Sequence, residues 1–203
     1  KLLIADEPTT ALDVTVQRQI VALVKEFQEE SNMSVVWITH DLGVVAEIAD
    51  RVAVMYAGRI MEEGPAESLY AATRHPYTSG LLRSIPRLDT PLVDHLPEIP
   101  GSPPSVTVEL TECPFHSRCP LGEEGCTVSL PELVPTGMGT LSACIHHDSM
   151  GSPGSIWPIE PASSLADLAS TAGAVVTIEE LKIHFPVHRG GLRRRASAVR
   201  AVD

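Results

Sequence analysis

The sequence predicts an α/β fold built on a parallel sheet, and three observations carry that prediction. Leu2-Leu3-Ile4-Ala5 and Val35-Val36-Trp37-Ile38 are apolar runs without a polar interruption, the pattern of strands buried on both faces. Residues 14–30, with helical periodicity, lie between them as a crossover connection joining parallel neighbours would. Each run ends in side chains that can do chemistry, Asp6-Glu7 after the first and Thr39-His40-Asp41 after the second. Ligands of open α/β sheets bind at that end of the strands.

Neighbouring strand residues point to opposite faces, so Asp6 and Glu7 can serve different partners. An aspartate there suits Mg²⁺ held through water, and a glutamate beside it suits the polarisation of an attacking water. Taken alone, the pair is equally well an acidic turn facing solvent. Asp13 reads as the N-cap of the helix over 14–30, with Val16, Ile20, Val24 and Phe27 on one face. Ser31-Asn32 ends that helix and 33–39 forms the second buried strand, which puts His40 on the same sheet edge as the two carboxylates. A lone histidine at a strand end is usually structural; beside an acidic pair it reads as functional. Asp41 caps a short helix over 42–49. The runs 51–56 and 59–63 flank Ala57-Gly58 as a hairpin, and Pro65 opens a helix through residue 70 in the first turn, where proline is tolerated. His75-Pro76-Tyr77-Thr78 then starts a helical stretch over 79–84.

Most of the 17 prolines fall between positions 86 and 161. That composition bars long helices and central strands, so the segment is expected to be held by something other than a conventional core. All four cysteines lie within it, Cys113, Cys119, Cys126 and Cys144, and their clustering in a stretch poor in regular structure suggests a staple. The tight C-x₂-C pairs of zinc ribbons are absent, and spacing alone leaves an iron–sulfur cluster, Zn²⁺ and free thiols all open. His146 and His147 are candidate substitute ligands, but adjacent imidazoles after a cysteine are expected to be exposed. Arg118 is expected to hydrogen-bond a cluster or the backbone, or else to be a surface arginine. Residues 150–174, rich in Gly, Pro, Ser and Ala, read as a linker. Beyond it 175–185 alternates as a strand, 189–197 is a Gly- and Arg-bearing loop, and 198–203 returns as a second strand.

Net charge is −11, from 26 acidic and 15 basic residues, which argues against a general nucleic-acid binder. No apolar run reaches the roughly 18 residues of a membrane span, so membrane association is expected to go through a partner. The chain starts at Lys1 inside one strand and stops at Asp203 inside another, and it is expected to be a piece of a longer protein. No G-x-x-x-x-G-K-[ST] phosphate loop and no L-S-G-G-Q-like segment is present, so this piece alone is not expected to turn over ATP.

Leu2 to Asp13 with Val35 to Asp41 resembles the Walker B, D-loop and H-loop of ABC-type ATPases, three motifs in order over roughly residues 1–65. The resemblance implies that Asp6 supports Mg²⁺, Glu7 is the catalytic base, His40 contacts the γ-phosphate of ATP, and Asp13 signals across the nucleotide sandwich. His75-Pro76-Tyr77-Thr78, Pro97-Glu98-Ile99-Pro100-Gly101-Ser102-Pro103-Pro104 and Cys113-Pro114-Phe115-His116-Ser117-Arg118-Cys119-Pro120 resemble the extension of oligopeptide/dipeptide importer ATPases. It implies a fold in four parts: the C-terminal part of a P-loop ABC ATPase domain (1–70), an irregular Cys₄ extension (71–149), a linker (150–174), and the opening β-hairpin of a second ABC ATPase domain (175–203). Some members carry a [4Fe-4S] cluster on the corresponding cysteines, which favours that over Zn²⁺ here, and a reducing compartment disfavours disulfides. Phe185 matches an aromatic that stacks on adenine; otherwise it is a strand residue facing a core. The implied protein is a peripheral subunit on the cytoplasmic face of the cell membrane. Its implied partners are two integral membrane permeases, an external substrate-binding protein acting through them, and the second ATPase domain in the same chain. The alternatives are a soluble, non-transport ABC ATPase and an importer for nickel or another small solute.

Overall fold

The computed structural model describes residues 1–85, 97–104, 109–152 and 154–157, together with the backbone of 183–187 and 197–202. The chain is mixed α/β and divides into two units, 1–161 and 162–203.

Strands β1 (Leu2–Asp6) and β2 (Ser34–Ile38) pair in parallel, Leu2 opposite Ser34 and Asp6 opposite Ile38, with α1 (Val14–Ser31) as the crossover. Asp13 caps α1 by accepting from the Thr15 and Val16 amides at 2.9 and 3.0 Å, and Asn32 closes it in the left-handed conformation. The strands differ from the expectation in one respect: they are not buried on both faces. Leu3, Ala5, Val35 and Trp37 are half-buried, whereas Leu2 is 61% and Ile4 63% exposed, with Val36 and Ile38 beside them. The pleat sends alternate side chains to opposite faces, and no described element covers the second face. On the first face, a groove of about 280 Å³ runs between α1 and β2, lined by Val21, Val24, Val35 and Trp37. The buried stripe of α1 runs through Gln17, Val21, Val24, Lys25 and Gln28; Val16 and Ile20 on its flank are half-buried, and Phe27 on the same flank, expected among them, is 49% exposed.

Asp41 caps α2 (Leu42–Ile48) through the Gly43 and Val44 amides. Strands β3 (Arg51–Tyr56) and β4 (Arg59–Pro65) form the expected hairpin. Its turn residues, Ala57 at φ 49° and Gly58 at φ 79°, both sit in the region that two-residue hairpins require. Pro65 is the N-cap of α3 (Ala66–Ala71) rather than a residue of its first turn, and α4 (Pro76–Arg83) starts at Pro76 with His75 as its cap.

The proline-rich segment does hold strands and a core, against expectation. The short strands β5 (Val134–Gly137) and β6 (Thr140–Ser142) form a hairpin that adds to β4, giving an antiparallel sheet in the order β3-β4-β6-β5. Proline is accommodated because Pro135 sits on the edge strand, at a register shift. Phe115, fully buried, is the hub: its ring centroid lies 5.3 Å from those of Tyr56 and Tyr77 and 6.4 Å from that of Trp157. Gly80 makes room for this contact, since a Cβ there would meet Trp157 at 2.7 Å and Ile99 at 2.9 Å. Arg118 clasps the arrangement from outside. Its guanidinium donates to the Pro100 and Ile99 carbonyls at 2.8 and 2.9 Å and to the Tyr56 hydroxyl at 3.1 Å. Of the three expectations for this residue, the backbone one holds.

In the second unit, β7 (Ile183–Val187) and β8 (Ser197–Val202) pair antiparallel. Phe185 lies in β7, but its side chain is outside the described residues, as are positions 158–182 with most of the expected linker.

Replacing Phe115 with alanine in the full-length protein is expected to destabilise the first unit by about 3–5 kcal/mol, the range for emptying a fully buried aromatic site. A lowered urea midpoint at unchanged slope, followed by tryptophan fluorescence, would report it.

Candidate functional site

Two groups of chemistry-bearing side chains stand out, one at the rim of the parallel pair and one around the cysteines. At the rim, the chain leaves β1 through Glu7, whose amide donates to the Ile38 carbonyl at 2.9 Å and whose φ is 47°. A left-handed φ is uncommon for a residue with a Cβ, and it re-aims the side chain at the moment the strand ends. The Glu7 carboxylate is then occupied at both oxygens: Thr10 Oγ1 donates to Oε2 at 2.7 Å, and His40 Nδ1 lies 2.8 Å from Oε1. A carboxylate only accepts, so Nδ1 carries the hydrogen and Nε2 faces outward. Asp41 N–H donates to Thr39 Oγ1, and Gln17 Nε2 donates to Asp41 Oδ2 at 3.0 Å, which ties the loop bearing His40 to α1.

The pair tunes both members. The hydrogen bond from His40 holds the Glu7 carboxyl below the usual carboxylate value, with Thr10 adding to it; the same bond to Glu7 raises His40 above the ordinary imidazole value. The result is an imidazole edge directed at solvent that holds a proton more readily than a free one, beside a carboxylate that loses its own more readily, with the His40 side chain 81% and Glu7 38% exposed. Such an edge can meet an anionic oxygen. Each Glu7 oxygen keeps a second acceptor site, so a water can approach while Thr10 and His40 stay in place. Asp6, exposed at the end of β1, has no side-chain partner among the described residues and is an oxygen donor open to a hard cation. Asp13 is engaged as the α1 cap and takes no part in the Glu7–His40 contact.

The four cysteines are free and line one narrow cavity, whose wall also includes His75, Phe115 and His146. Each sits beside a short turn: Cys113 and Cys119 flank the one at His116–Arg118, Cys126 lies in the one at Glu124–Thr127, and Cys144 precedes the one at His147–Ser149. Backbone amides are aimed at two of the sulfurs. Leu121 N–H donates to Cys119 Sγ at 3.4 Å and His146 N–H to Cys144 Sγ at 3.3 Å, whereas the His116 amide donates to the Cys113 carbonyl at 3.1 Å. Burial opposes ionisation, raising Cys113 and pushing Cys119 up to about 11 and Cys144 up to about 12. These three thiols therefore hold their protons when nothing is bound, and a cationic group would have to displace them. Among the described residues no three His, Cys, Asp or Glu side chains come together as ligands of one metal ion. His146 and His147 are half-buried rather than exposed, His147 through Nδ1 against the Cys144 carbonyl at 2.8 Å.

Residues 61–126 match the family described as oligopeptide/dipeptide transporter, C-terminal region. The whole chain is 44% identical, over 205 residues, to the oligopeptide transport ATP-binding protein OppD of Mycobacterium tuberculosis (strain ATCC 25618 / H37Rv), of which it spans 33%. Over 144 residues, 71% of the chain, it is 52% identical to the OppD proteins of Haemophilus influenzae and Salmonella typhimurium, of which it spans 44% and 42%. Residues 61–126 thus match an oligopeptide/dipeptide transporter region, and the chain as a whole is similar to ATP-binding proteins of oligopeptide transport. It spans a third to under half of the length of these relatives.

Sequence reasoning missed one further polar residue that positions the cysteine cavity. Glu62, fully buried, accepts from the Arg74 and His75 amides at 2.6 and 3.0 Å, and burial raises its carboxyl above the usual range. His75 is buried too, and its loss of solvation drops it to about 3, so it stays neutral and its Nδ1 accepts from the Tyr77 amide. Only the H-P-Y-T string hinted at this corner; nothing in the local pattern distinguishes Glu62 from Glu63.

The rim pair sets a pH window. Glu7, depressed, loses its part as pH falls through its folded pKa, and His40, raised, loses its part as pH rises through its own. An NMR titration is expected to place His40 above the ordinary 6.5, and Glu7→Gln to return it toward that value.

Proposed function

We propose that this chain belongs to the ATP-hydrolysing subunit of an ABC importer that couples hydrolysis to the uptake of oligopeptides or dipeptides. The observation that carries the reading is the 2.8 Å contact between Glu7 and His40 at adjacent strand ends. It puts a carboxylate that can accept a proton from water beside an imidazole edge that, when protonated, can donate to a phosphate oxygen. In this reading ATP binds over the rim, Glu7 orients and deprotonates the attacking water, and His40 steadies the charge that develops on the γ-phosphoryl oxygens. Asp6 would hold Mg²⁺ through water, and the ion would supply charge neutralisation on the phosphates. Asp13, at the start of α1, would face the opposing half of the nucleotide sandwich. The names of the relatives support the assignment of peptide transport.

In the same reading the partners are two membrane permeases, an external substrate-binding protein reached through them, and a second ATPase domain in the same polypeptide. The β7–β8 hairpin fits the opening of that domain, with Phe185 as the aromatic for adenine. The subunit works peripherally on the cytoplasmic face of the membrane. No helix among the described residues is long and apolar enough to cross a membrane.

The four cysteines are proposed as ligands of a [4Fe-4S] cluster with a structural role. Supporting this are their shared cavity and the amides aimed at two of the sulfurs.

Two measurements test these readings. In the assembled transporter, Glu7→Gln is expected to lower the hydrolysis rate by roughly 10²–10⁴-fold while ATP still binds; full turnover would overturn the assignment. Anaerobic purification followed by iron, sulfide and zinc analysis is expected to find iron and sulfide. Zinc in their place, or a folded metal-free protein, would reject the cluster.

A further inference from the structure

The His40 side chain is 81% exposed, and its ring is held at one atom, Nδ1, against Glu7 at 2.8 Å. A ring held so lightly takes its orientation from the backbone beneath it, and that backbone is fixed by the next residue. Asp41 divides its carboxylate between two helices. Oδ1 accepts from the Gly43 and Val44 amides at 2.9 and 3.2 Å, at the start of α2, and Oδ2 accepts from Gln17 Nε2 at 3.0 Å. An ionised carboxylate only accepts, so the NH₂ end of Gln17 faces it. Gln17 is engaged through its main chain as well, its N–H donating to the Asp13 carbonyl at 2.9 Å. One residue in the first turn of α1 thus joins the loop after β1 to the loop after β2. The circuit closes through Glu7, which ends β1 and meets both Thr10 and His40. Among the described residues no other side-chain hydrogen bond links α1 to the turn 39–41. The bond from Lys25 Nζ to the Glu47 carbonyl, at 2.9 Å, reaches only the far end of α2. Gln17 and Asp41 are both half-buried, where water replaces a lost bond less readily than at the exposed ring.

We propose that Gln17 is a positioning residue for His40, acting through Asp41 to keep the imidazole against Glu7. Its part in hydrolysis rests on the ATPase reading above; its hold on the ring does not. With the Gln17–Asp41 bond in place, Nδ1–H stays on Glu7 and Nε2 is presented outward. Without it the turn 39–41 shifts, the contact with Glu7 is lost, and neither ring nitrogen has a fixed direction. Phosphoryl transfer depends chiefly on the placement of the groups around it, so the loss shows as slower turnover rather than weaker ATP binding.

The test uses the full-length protein with isotope-labelled histidine, the His40 signals being identified by their absence in His40→Gln. At a pH where the ring is neutral, NMR of the unmodified protein is expected to show hydrogen on Nδ1 and none on Nε2. Gln17→Leu, which removes the donor without changing charge, is expected to give the mixed tautomers of an unconstrained ring. Gln17→Lys, which returns an N–H within reach of Asp41, is expected to restore the Nδ1–H form. In the assembled transporter, kcat is expected to fall by up to roughly 10²-fold in Gln17→Leu at unchanged KM for ATP, and to recover in Gln17→Lys. An unchanged tautomer in a folded Gln17→Leu protein overturns the inference, as do mixed tautomers in the unmodified protein. Equal loss in the leucine and lysine variants also overturns it, since glutamine would then be needed for packing alone. Should Gln17→Leu fail to fold, Gln17→Glu takes its place and sets a second carboxylate against Asp41. Loss of the Nδ1–H form there, with retention in Gln17→Lys, supports the role, and the same ring state in both overturns it. A tautomer change without any change in kcat supports the hold on the ring and rejects the part given to His40 in hydrolysis.

Discussion

The arrangement of the first unit depends on a carboxylate that has been taken entirely out of water. Burying Glu62 is unfavourable unless its oxygens are satisfied, and two amides from the corner between α3 and α4 satisfy them. The corner is gripped from the other side as well, because Ser142 Oγ, paired with Glu62 across β4 and β6, donates to the Arg74 carbonyl at 2.8 Å. One polar knot thus fixes the sheet, the start of α4 and the β5–β6 hairpin relative to one another. His75, held at that corner, forms part of the cysteine cavity wall. The geometry of the cavity is therefore inherited from a residue that does not face it.

Two chemistries share this unit without sharing residues. The rim of the parallel pair is solvent-facing and built from local signals: a strand end, a left-handed residue and two capped helices. The cysteine cavity is dry and built from long-range contacts around Phe115. Tyr56 ties the β3–β4 hairpin to the surroundings of the cavity, since it ends β3, packs on Phe115 and receives the Arg118 hydrogen bond. Arg118 lies between two of the cysteines, so the cysteine turn, the Ile99-Pro100 segment and the β3–β4 hairpin are joined through one guanidinium.

What the sequence made legible follows from the range of the interactions. The strands, α1, α2, the β3–β4 hairpin and the Asp13 and Asp41 caps could be read because each is specified within a few residues. The meeting of Glu7 with His40 could be read because parallel pairing puts both strand ends on one edge. The β5–β6 hairpin could not, because its attachment to β4 joins residues some eighty positions apart and its strands are too short to show a period. Burial of Glu62 was invisible for the same reason: its partners are backbone amides with no side-chain signature. The exposed face of β1 and β2 was misread because an apolar run reports that a face is to be covered, not what covers it. His146 was set aside as an exposed neighbour of Cys144, since its contact with Cys126 depends on a fold-back that spacing does not encode.

That open face has a consequence for anyone handling this stretch of chain by itself. Leu2, Ile4, Val36 and Ile38 form a flat oily strip, and the outer backbone groups of a two-stranded sheet lie next to it without partners among the described residues. Strips of this kind template the addition of further strands, from another molecule as readily as from the same one. Until such a surface is covered, every moment it stays open is time spent vulnerable to clumping.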